Sequence, residues 1–190
     1  MTRPRAIWLL PGALAALPGA LAALPAYHAA YAVQYLSVAE AQHSAFADAS
    51  EFAPIAFDRA VLDAAAAAVP ESSLGGDWSP KAWQARKDGA VLGWLIVDQV
   101  IGKAEAITYA LAIDAHGTVL GVDVLEYRET HGSEIRLPAW RKQFIGKTVD
   151  DPVRLDSDIH NISGATLSCR HVTDGVRRLL ALRAKALKTS

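Results

Sequence analysis

The chain passes from loop to helix within the segment Ile162-Ser163-Gly164-Ala165-Thr166-Leu167-Ser168. Strand-like and turn-like sequence precedes this segment. After it, apolar residues recur at spacings of three and four, nearly to the C-terminus, while most charged residues fall on other faces. Such a pattern is typical of an amphipathic helix that packs on one side. The predicted apolar stripe consists of Val172, Val176, Leu179, Leu180 and Leu187.

A helix that starts here has a terminus suited to an anion. The first backbone N–H groups of a helix lack partners and the helix dipole is positive at this end, so both favour a phosphate group. Gly164 lets the backbone approach a ligand closely. Ser163, Thr166 and Ser168 supply three hydroxyl groups within a short arc. The alternative interpretation of these residues is structural, with Ser163 acting only as the helix N-cap.

Composition limits the class of protein. The 190 residues are 52% hydrophobic, which suffices for one domain with an N-terminal extension. The formal net charge is −1 and no basic run is interleaved with aromatic residues, so nucleic-acid binding is not predicted. Cys169 is the single cysteine, which excludes an intrachain disulfide and a cysteine-based metal site. The six histidines show no metal-ligand spacing, so no metal site is predicted.

Residues 1–36 form the predicted targeting segment. Arg3 and Arg5 precede a stretch, residues 6–39, without Asp, Glu, Lys or Arg, and Ala30-Tyr31-Ala32 resembles a small-residue cleavage site. These features are typical of a secretory signal peptide. The apolar run is also long enough for an uncleaved transmembrane anchor. Either alternative places the rest of the chain outside the cytoplasm, because the positive residues precede the apolar run.

Residues 37–80 are predicted to be a helical N-terminal part that ends in a loop. Ser37-Val38-Ala39-Glu40 is a capping-box sequence and predicts a short helix to about Ala47. The Ala-rich stretch 57–69 predicts a second helix, which the following proline ends. Residues 71–80 contain two glycines and a proline and are predicted to form a loop.

From Lys81 onward, apolar runs bounded by glycine and aspartate turns predict an antiparallel meander. Trp140 and Phe144 share one face of a short predicted helix after Pro138, and the C-terminal helix is expected to pack on the sheet. Residues 81–188 are therefore predicted to be an α+β domain, an antiparallel sheet with packed helices. The predicted strands are 91–100, 107–113 and 119–125, with turns at Lys87-Asp88-Gly89 and Ala115-His116-Gly117.

A polar turn follows the last predicted strand and holds Glu129, His131 and Glu134. Two carboxylates that flank a His-Gly pair are compatible with acid–base chemistry. The alternative is an ordinary solvated loop. Acid–base chemistry gains support only if this turn faces the Ser163-Gly164-Ala165-Thr166 loop.

Four motifs occur in a fixed order along the C-terminal half of the chain. They are Gly117-x-Val119-x-Gly121-Val122, Glu129-Thr130-His131-Gly132, Trp140 followed by Phe144 and Gly146-Lys147, and Ser163-Gly164-Ala165-Thr166-Leu167-Ser168. With this set, over roughly residues 90–182, the chain resembles the FMN-binding domain family. That family includes the covalent-FMN subunits of the sodium-pumping NADH:quinone reductase and of a related ferredoxin-linked membrane complex. It also includes small stand-alone extracytoplasmic flavoproteins.

The resemblance implies FMN as the cofactor, joined through its phosphate to the hydroxyl of Thr166 by a dedicated FAD:protein FMN transferase. It implies that the neighbouring loop binds the phosphate and that the isoalloxazine ring lies toward the sheet, against the turn at residues 129–135. No catalytic residue is implied. The cofactor-binding residues expected besides Thr166 are Ser163, Gly164, Ala165, Leu167, Ser168, Glu129, His131 and Gly132.

One position departs from the family pattern. An aspartate usually stands six residues before the attachment threonine, and this chain has His160 there, with Asp156 and Asp158 just upstream. The departure leaves open that FMN is held without a covalent bond. Cys169, beside the site, is expected to be a buried small residue.

The resemblance implies an extracytoplasmic flavoprotein, exported to the bacterial periplasm or anchored to the inner membrane, that exchanges electrons with a membrane redox partner. An electron carrier is favoured over a stand-alone enzyme. Two alternatives stay open. One is a flavin-dependent reductase of a small substrate, with a pocket lined by His131, Glu129 or Glu134. The other is a flavin-free accessory or binding module of the same fold, for which His160 is the only hint.

Overall fold

The computed structural model describes residues 33–70 and 77–187. Its strands, numbered along the chain, are β1 (Val33–Gln34), β2 (Glu51–Ile55), β3 (Lys81–Lys87), β4 (Ala90–Ile101), β5 (Ala106–Asp114) and β6 (Val119–Tyr127). They form one antiparallel sheet in the order β1-β6-β5-β4-β3-β2. Strands β3 to β6 follow one another as consecutive hairpins, which confirms the predicted meander.

The tight turns of the meander lie where the sequence predicts them. Asp88 and Gly89, between β3 and β4, both have positive φ, at 50° and 82°. This backbone matches the twist of two-residue hairpins and favours an Asp-Gly pair. Gly117, with φ of 99°, lies in the turn between β5 and β6.

The α-helices, numbered along the chain, are α1 (Val38–Ala45), α2 (Arg59–Ala66), α3 (Pro138–Arg141) and α4 (Thr166–Ala186). The capping box predicted for α1 is present. Ser37 Oγ accepts from the Glu40 amide at 3.2 Å, and the Ser37 amide donates to Glu40 Oε2 at 2.7 Å. A 3-10 helix, Lys142–Phe144, continues α3. Trp140 and Phe144, predicted to share one helix face, are both buried and their rings lie 5.1 Å apart.

The prediction of a helical part over residues 37–80 is incomplete, because β2 forms there between α1 and α2. β2 reads Glu-Phe-Ala-Pro-Ile and pairs with β3 at the edge of the sheet. Five residues with an internal proline carry little strand signal, yet an edge strand tolerates proline because one side needs no ladder hydrogen bonds. The sheet thus contains strands from both sides of residue 80, and the boundary between residues 80 and 81 stays a prediction.

Helices cover both faces of the sheet. Along β4, Trp94 and Ile96 pack in the cluster beneath α4, while Leu95 and Val97 pack in the cluster beneath α1. This alternation is the period of two expected of a strand with two buried faces. All five residues of the predicted apolar stripe on the C-terminal helix are at most 4% exposed, so that prediction is confirmed.

A buried ion pair fixes α4 against the sheet. Asp98 of β4 accepts hydrogen bonds from Arg178 Nη2 at 2.7 Å, Tyr109 Oη at 2.9 Å and Trp78 Nε1 at 2.8 Å. Gly175 permits the approach, because a Cβ atom there would lie 2.2 Å from Tyr109 Oη. Separating a buried charge from its partner is costly, so the pair holds α4, and with it the N-terminus of the helix, in one place.

The predicted signal peptide or anchor, residues 1–36, lies outside the described residues except for residues 33–36. Two of these form β1, which pairs with the end of β6. Within residues 33–70 and 77–187, no helix is long and apolar enough to cross a membrane. Of the predicted loop at 71–80, residues 77–80 are described and have neither helix nor strand.

Candidate functional site

The N-terminus of α4 has no side-chain cap. The helix begins at Thr166, and the N-cap residue before it, Ala165, makes no side-chain hydrogen bond. Ser163 is exposed and lies two residues further back. The structural interpretation of Ser163 as N-cap is therefore wrong. The first N–H groups of α4 remain available to an acceptor other than a capping side chain.

The loop before α4 leaves open space above Gly164. This residue has φ of 89°, in the left-handed region, and a Cβ atom there would meet no heavy atom within 4 Å. Thr166 Oγ1 accepts a hydrogen bond from Asn161 Nδ2 at 3.1 Å. Asn161 Oδ1 is buried and has no hydrogen-bond partner among the described residues. Asn161, which is not among the predicted cofactor-binding residues, thus holds the Thr166 hydroxyl.

The polar turn after β6 borders the same cleft as this loop. The cleft has a volume of about 230 Å³, and both Glu129 and Thr166 lie on its walls. The turn therefore faces the loop, which is the condition that sequence reasoning set for a role in the site. The residues that line the cleft are Lys103, Glu129, Thr130, His131, Gly164, Ala165, Thr166, Leu167 and Ser168.

Tyr127 joins the two sides of the cleft. Its hydroxyl donates to the carbonyl oxygen of His131 at 2.5 Å and lies 3.0 Å from Ser168 Oγ. Because the tyrosine proton goes to the carbonyl, Ser168 is the donor in the second hydrogen bond. Burial raises the pKa of Tyr127, so its hydroxyl stays protonated at neutral pH.

Two of the predicted cofactor-binding residues, Ser163 and Gly132, do not line the cleft. Gly132 is buried with φ of 88°. A Cβ atom there would lie 2.8 Å from Tyr127 Oη and 2.9 Å from Ser168 Oγ. Gly132 therefore lets the turn pack closely against α4, which is a structural contribution to the site.

Glu129 uses its carboxylate to hold the backbone between β4 and β5. Its Oε1 accepts from the amides of Ala104 at 2.6 Å and Glu105 at 2.9 Å. Burial alone would raise the pKa of Glu129, but hydrogen bonds from the amides of Glu105, Ala104 and Lys103, with the Lys103 charge, hold that pKa below its usual value. Glu129 is therefore an ionised acceptor with a fixed position.

Most of the residues that the acid–base alternative requires are engaged elsewhere or lie outside the cleft. The Glu129 carboxylate is engaged by backbone amides, and Glu134 does not line the cleft. His131 is exposed and contributes its carbonyl oxygen to Tyr127. Of the three residues predicted to line a substrate pocket, His131 therefore remains as the candidate acid or base at this cleft, with an exposed imidazole.

Besides Asn161 and Tyr127, the sequence did not predict Lys103, which lines the cleft, or His171, which contacts the turn that carries Lys103. Sequence alone shows Gly102-Lys103 as a break between two strands. The β4–β5 hairpin carries this turn to the start of α4, where His171 Nδ1 lies 2.5 Å from the carbonyl oxygen of Ile101. No local pattern signals a contact between segments so far apart in sequence.

His160, which stands where the family pattern has an aspartate, makes hydrogen bonds through its backbone. His160 is exposed; its amide donates to Gln143 Oε1 at 2.7 Å, and its carbonyl accepts from Trp140 Nε1 at 2.9 Å. Upstream, Asp158 accepts from Lys147 Nζ at 2.8 Å and from the Arg154 amide at 2.8 Å. Neither Asp158 nor His160 lines the cleft.

Two further side chains of α4 differ sharply in exposure. Leu167 lines the cleft and is 45% exposed. Cys169 is fully buried, as predicted, and burial raises the pKa of its thiol.

In the part of the chain that the structure describes, no group of three or more His, Cys, Asp or Glu side chains could hold a metal ion.

A small α+β domain whose long helix opens toward a polar turn is an arrangement suited to a phosphate-bearing cofactor. The sequence model of the FMN-binding domain matches residues 102–181 of this chain. The match spans the β4–β5 turn, the turn at Glu129 and the loop before Thr166. It confirms the predicted family and FMN as the cofactor.

The chain is also similar to bacterial proteins that are named as one subunit of an ion-translocating oxidoreductase complex. It is 33% identical to the protein of Vibrio vulnificus over 57% of both chains. It is 38% identical to the protein of Escherichia coli over 40% of this chain and 43% of the relative. The chain thus spans about half the length of these relatives. Among solved structures, it resembles Shewanella oneidensis NqrC, with a TM-score of 0.49 and 18% identity over 71% of this chain and 80% of that one.

Proposed function

We propose that this chain is an extracytoplasmic electron-transfer protein that carries FMN, joined through its phosphate to Thr166. The family match and the relatives named as subunits of ion-translocating oxidoreductase complexes support this class of function. The observation that carries the proposal is the cleft. There Thr166, at the uncapped start of α4, lies beside the turn of Glu129 and His131.

The residues at the cleft fit the phosphate end of FMN. The start of α4 offers unpaired N–H groups and about half a positive charge. Gly164 leaves open space there, because a Cβ atom at this position would meet no heavy atom within 4 Å. The cleft, at about 230 Å³, is smaller than the roughly 300–1,000 Å³ of pockets that enclose a whole ligand. It therefore suits the phosphate and leaves the ring accessible to a redox partner.

Thr166 forms the covalent bond in this proposal. Its hydroxyl oxygen displaces AMP from the flavin phosphate of FAD, so a P–O bond to threonine forms, the pyrophosphate bond breaks and the hydroxyl proton is released. FAD:protein FMN transferase supplies the catalysis. Asn161 orients the hydroxyl through its hydrogen bond to Oγ1. Bound FMN supplies the reversible uptake of electrons. The ester keeps it in place outside the cytoplasm, where a lost cofactor is not readily replaced.

The remainder of the chain is proposed to bring this site to a membrane. Residues 1–36 act as a signal peptide or inner-membrane anchor, because a basic start precedes a long uncharged run. Residues 37–80 precede the FMN-binding domain at 81–188. The redox partner is then a membrane electron-transfer protein at the periplasmic face, which meets the exposed side of the cleft and Leu167.

The proposal is tested by the intact mass of the full chain, exported in a host that contains the transferase. The wild-type chain gains the mass of FMN minus water and a visible flavin spectrum that dithionite bleaches. Thr166→Ala loses the mass gain, whereas Thr166→Ser keeps a hydroxyl and retains it. Ser163→Ala is the matched control, because that exposed hydroxyl lies outside the cleft. An unmodified wild-type mass with extractable FMN would overturn the ester. A folded, colourless, unmodified protein would overturn the flavin role.

A further inference from the structure

Among the described residues that line the cleft, Lys103 alone is a lysine or arginine. It lies in the turn between β4 and β5, far from Thr166 in the sequence. The loop before α4 brings hydroxyl and backbone N–H groups to the cleft but no formal positive charge. The cation of the cleft therefore comes from a separate element of the fold.

Glu129, which follows β6, holds the turn that carries Lys103. Glu129 Oε1 accepts from the amides of Ala104 and Glu105 at 2.6 and 2.9 Å, and the turn closes on itself with a 2.8 Å hydrogen bond from the Gly102 amide to the Glu105 carbonyl. A Cβ atom on Gly102 would lie 2.7 Å from Glu129 Oε1. The carboxylate and the glycine therefore fix this turn closely.

The same turn is held from the side of α4. His171 Nδ1 lies 2.5 Å from the carbonyl oxygen of Ile101 and 3.0 Å from that of Gly102. Both partners are acceptors, so Nδ1 carries the proton. His171 stands on the helix that begins at Thr166. The position of Lys103 is thus set relative to the attachment residue by one rigid helix.

We infer that Lys103 binds the flavin phosphate and that Glu129 and His171 are positioning residues for its turn. This role rests on the proposed attachment of FMN to Thr166. A phosphodiester carries one negative charge, whereas a helix N-terminus supplies only about half a positive charge. The Lys103 ammonium adds a full positive charge to a cleft that also holds the ionised Glu129 carboxylate, and its flexible four-carbon stem can follow the phosphate within about 230 Å³.

The test compares thermal unfolding of the full chain made with and without the transferase, for wild type, Lys103→Ala, Lys103→Arg and Lys87→Ala. Lys87 is the matched control, because it is an exposed lysine at the end of β3. It lies opposite the first residue of β4, roughly 35 Å along β4 from the turn of Lys103. Attachment of FMN is expected to shift the Tm of Lys103→Ala by about 2–4 °C less than that of the wild type, the size of one charge-assisted contact in a chain of this length. Lys103→Arg and Lys87→Ala are expected to follow the wild type.

Salt separates a charge effect from a packing effect. The difference between wild type and Lys103→Ala is expected at about 0.1 M salt and is expected to shrink near 1 M, where the screening length falls to about 3 Å. Equal Tm shifts in fully modified wild type and Lys103→Ala would overturn the role of Lys103 and leave the proposed function intact. A wild-type chain that gains no mass would overturn both.

Discussion

Ser168, on the first turn of α4, places its hydroxyl oxygen 3.0 Å from that of Tyr127 at the end of β6. Tyr127 donates in turn to the carbonyl oxygen of His131 at 2.5 Å. Both side chains are buried. This pair of hydrogen bonds connects the helix that begins at Thr166 to the turn that faces it, and so fixes the distance across the cleft.

Removing the tyrosine hydroxyl is expected to loosen this connection. Tyr127→Phe leaves the buried Ser168 hydroxyl without its acceptor and the His131 carbonyl without its donor. An unsatisfied buried group costs about 1–3 kcal/mol, so the free energy of unfolding should fall by that amount. Urea unfolding of the unmodified chain measures it. Tyr35→Phe is the control, because Tyr35 is 36% exposed.

A double mutant separates this link from general packing. Ser168→Ala removes the hydroxyl that Tyr127→Phe would leave unsatisfied. The double mutant should therefore lose about 0.5–3 kcal/mol less stability than the sum of the two single mutants. Strictly additive losses would show that the two hydroxyls do not interact in solution.

Two glycines of the site give a matched comparison. Gly132 and Gly164 have nearly equal φ, 88° and 89°, so an alanine at either position incurs the same backbone strain of about 1–2 kcal/mol. At Gly164 the new methyl group meets open space, whereas at Gly132 it meets the hydroxyls of Tyr127 and Ser168 within 3 Å. Gly132→Ala should therefore be the more destabilising in urea unfolding. Equal losses would mean that the turn does not pack on α4 as described.

The ionised form of Glu129 is expected to stabilise the fold in a pH-dependent way. Its pKa is lowered below the usual 4.5 in the folded chain, so the unfolded chain takes up a proton first as pH falls. Its contribution is therefore fully present at neutral pH and is lost as pH falls below about 4.5 through the folded pKa. Glu129→Gln should cost about 1–3 kcal/mol at pH 7, and the gap to wild type should narrow toward pH 3.

The control for this pH dependence is Glu51→Gln, on the exposed edge strand β2. It should leave the pH profile of stability close to that of the wild type. A gap between Glu129→Gln and wild type that stays constant from pH 7 to pH 3 would contradict the role of the charged carboxylate.

Removing the imidazole N–H group of His171 should make the turn that carries Lys103 open more readily. His171→Leu keeps a side chain of similar size but removes the N–H group that meets the carbonyls of Ile101 and Gly102. Hydrogen exchange of the amides in residues 102–105 should then become faster, because local opening costs less. Exchange in the turn at residues 88–90 should not change. Unchanged exchange at 102–105 would remove His171 as a positioning residue.

Much of the fold follows from local pattern, and its exceptions have physical reasons. The long apolar stripe before Leu187 predicts the C-terminal helix, and runs of apolar residues between Gly and Asp turns predict the meander. The edge strand Glu51–Ile55 is not predictable in this way. It is short, contains a proline and has no alternating pattern, so its pairing with the edge of the sheet at β3 is not signalled by its own sequence.

The candidate site also contains residues that the sequence predicts and residues that it does not predict. Thr166, Gly164 and the turn at Glu129 follow from motifs that are continuous in the sequence. The contributions of Lys103, Asn161 and Tyr127 do not follow in this way. Lys103 lines the cleft, Asn161 bonds to Thr166 and Tyr127 bonds to Ser168, and no motif in the sequence signals these contacts. Glu129 shows the limit most clearly: its place beside the loop is predictable, but only the structure shows that its carboxylate serves the backbone between β4 and β5.

The most direct test of a covalent flavin on Thr166 is peptide mapping of the exported full chain, made with the transferase. Trypsin cleaves after Arg154 and Arg170 and releases residues 155–170, which contain three serines besides Thr166. Fragmentation of this peptide should place the whole mass gain of FMN minus water on Thr166. The same mass gain on Ser163 or Ser168, or an unmodified peptide from a protein that carries flavin, would contradict it.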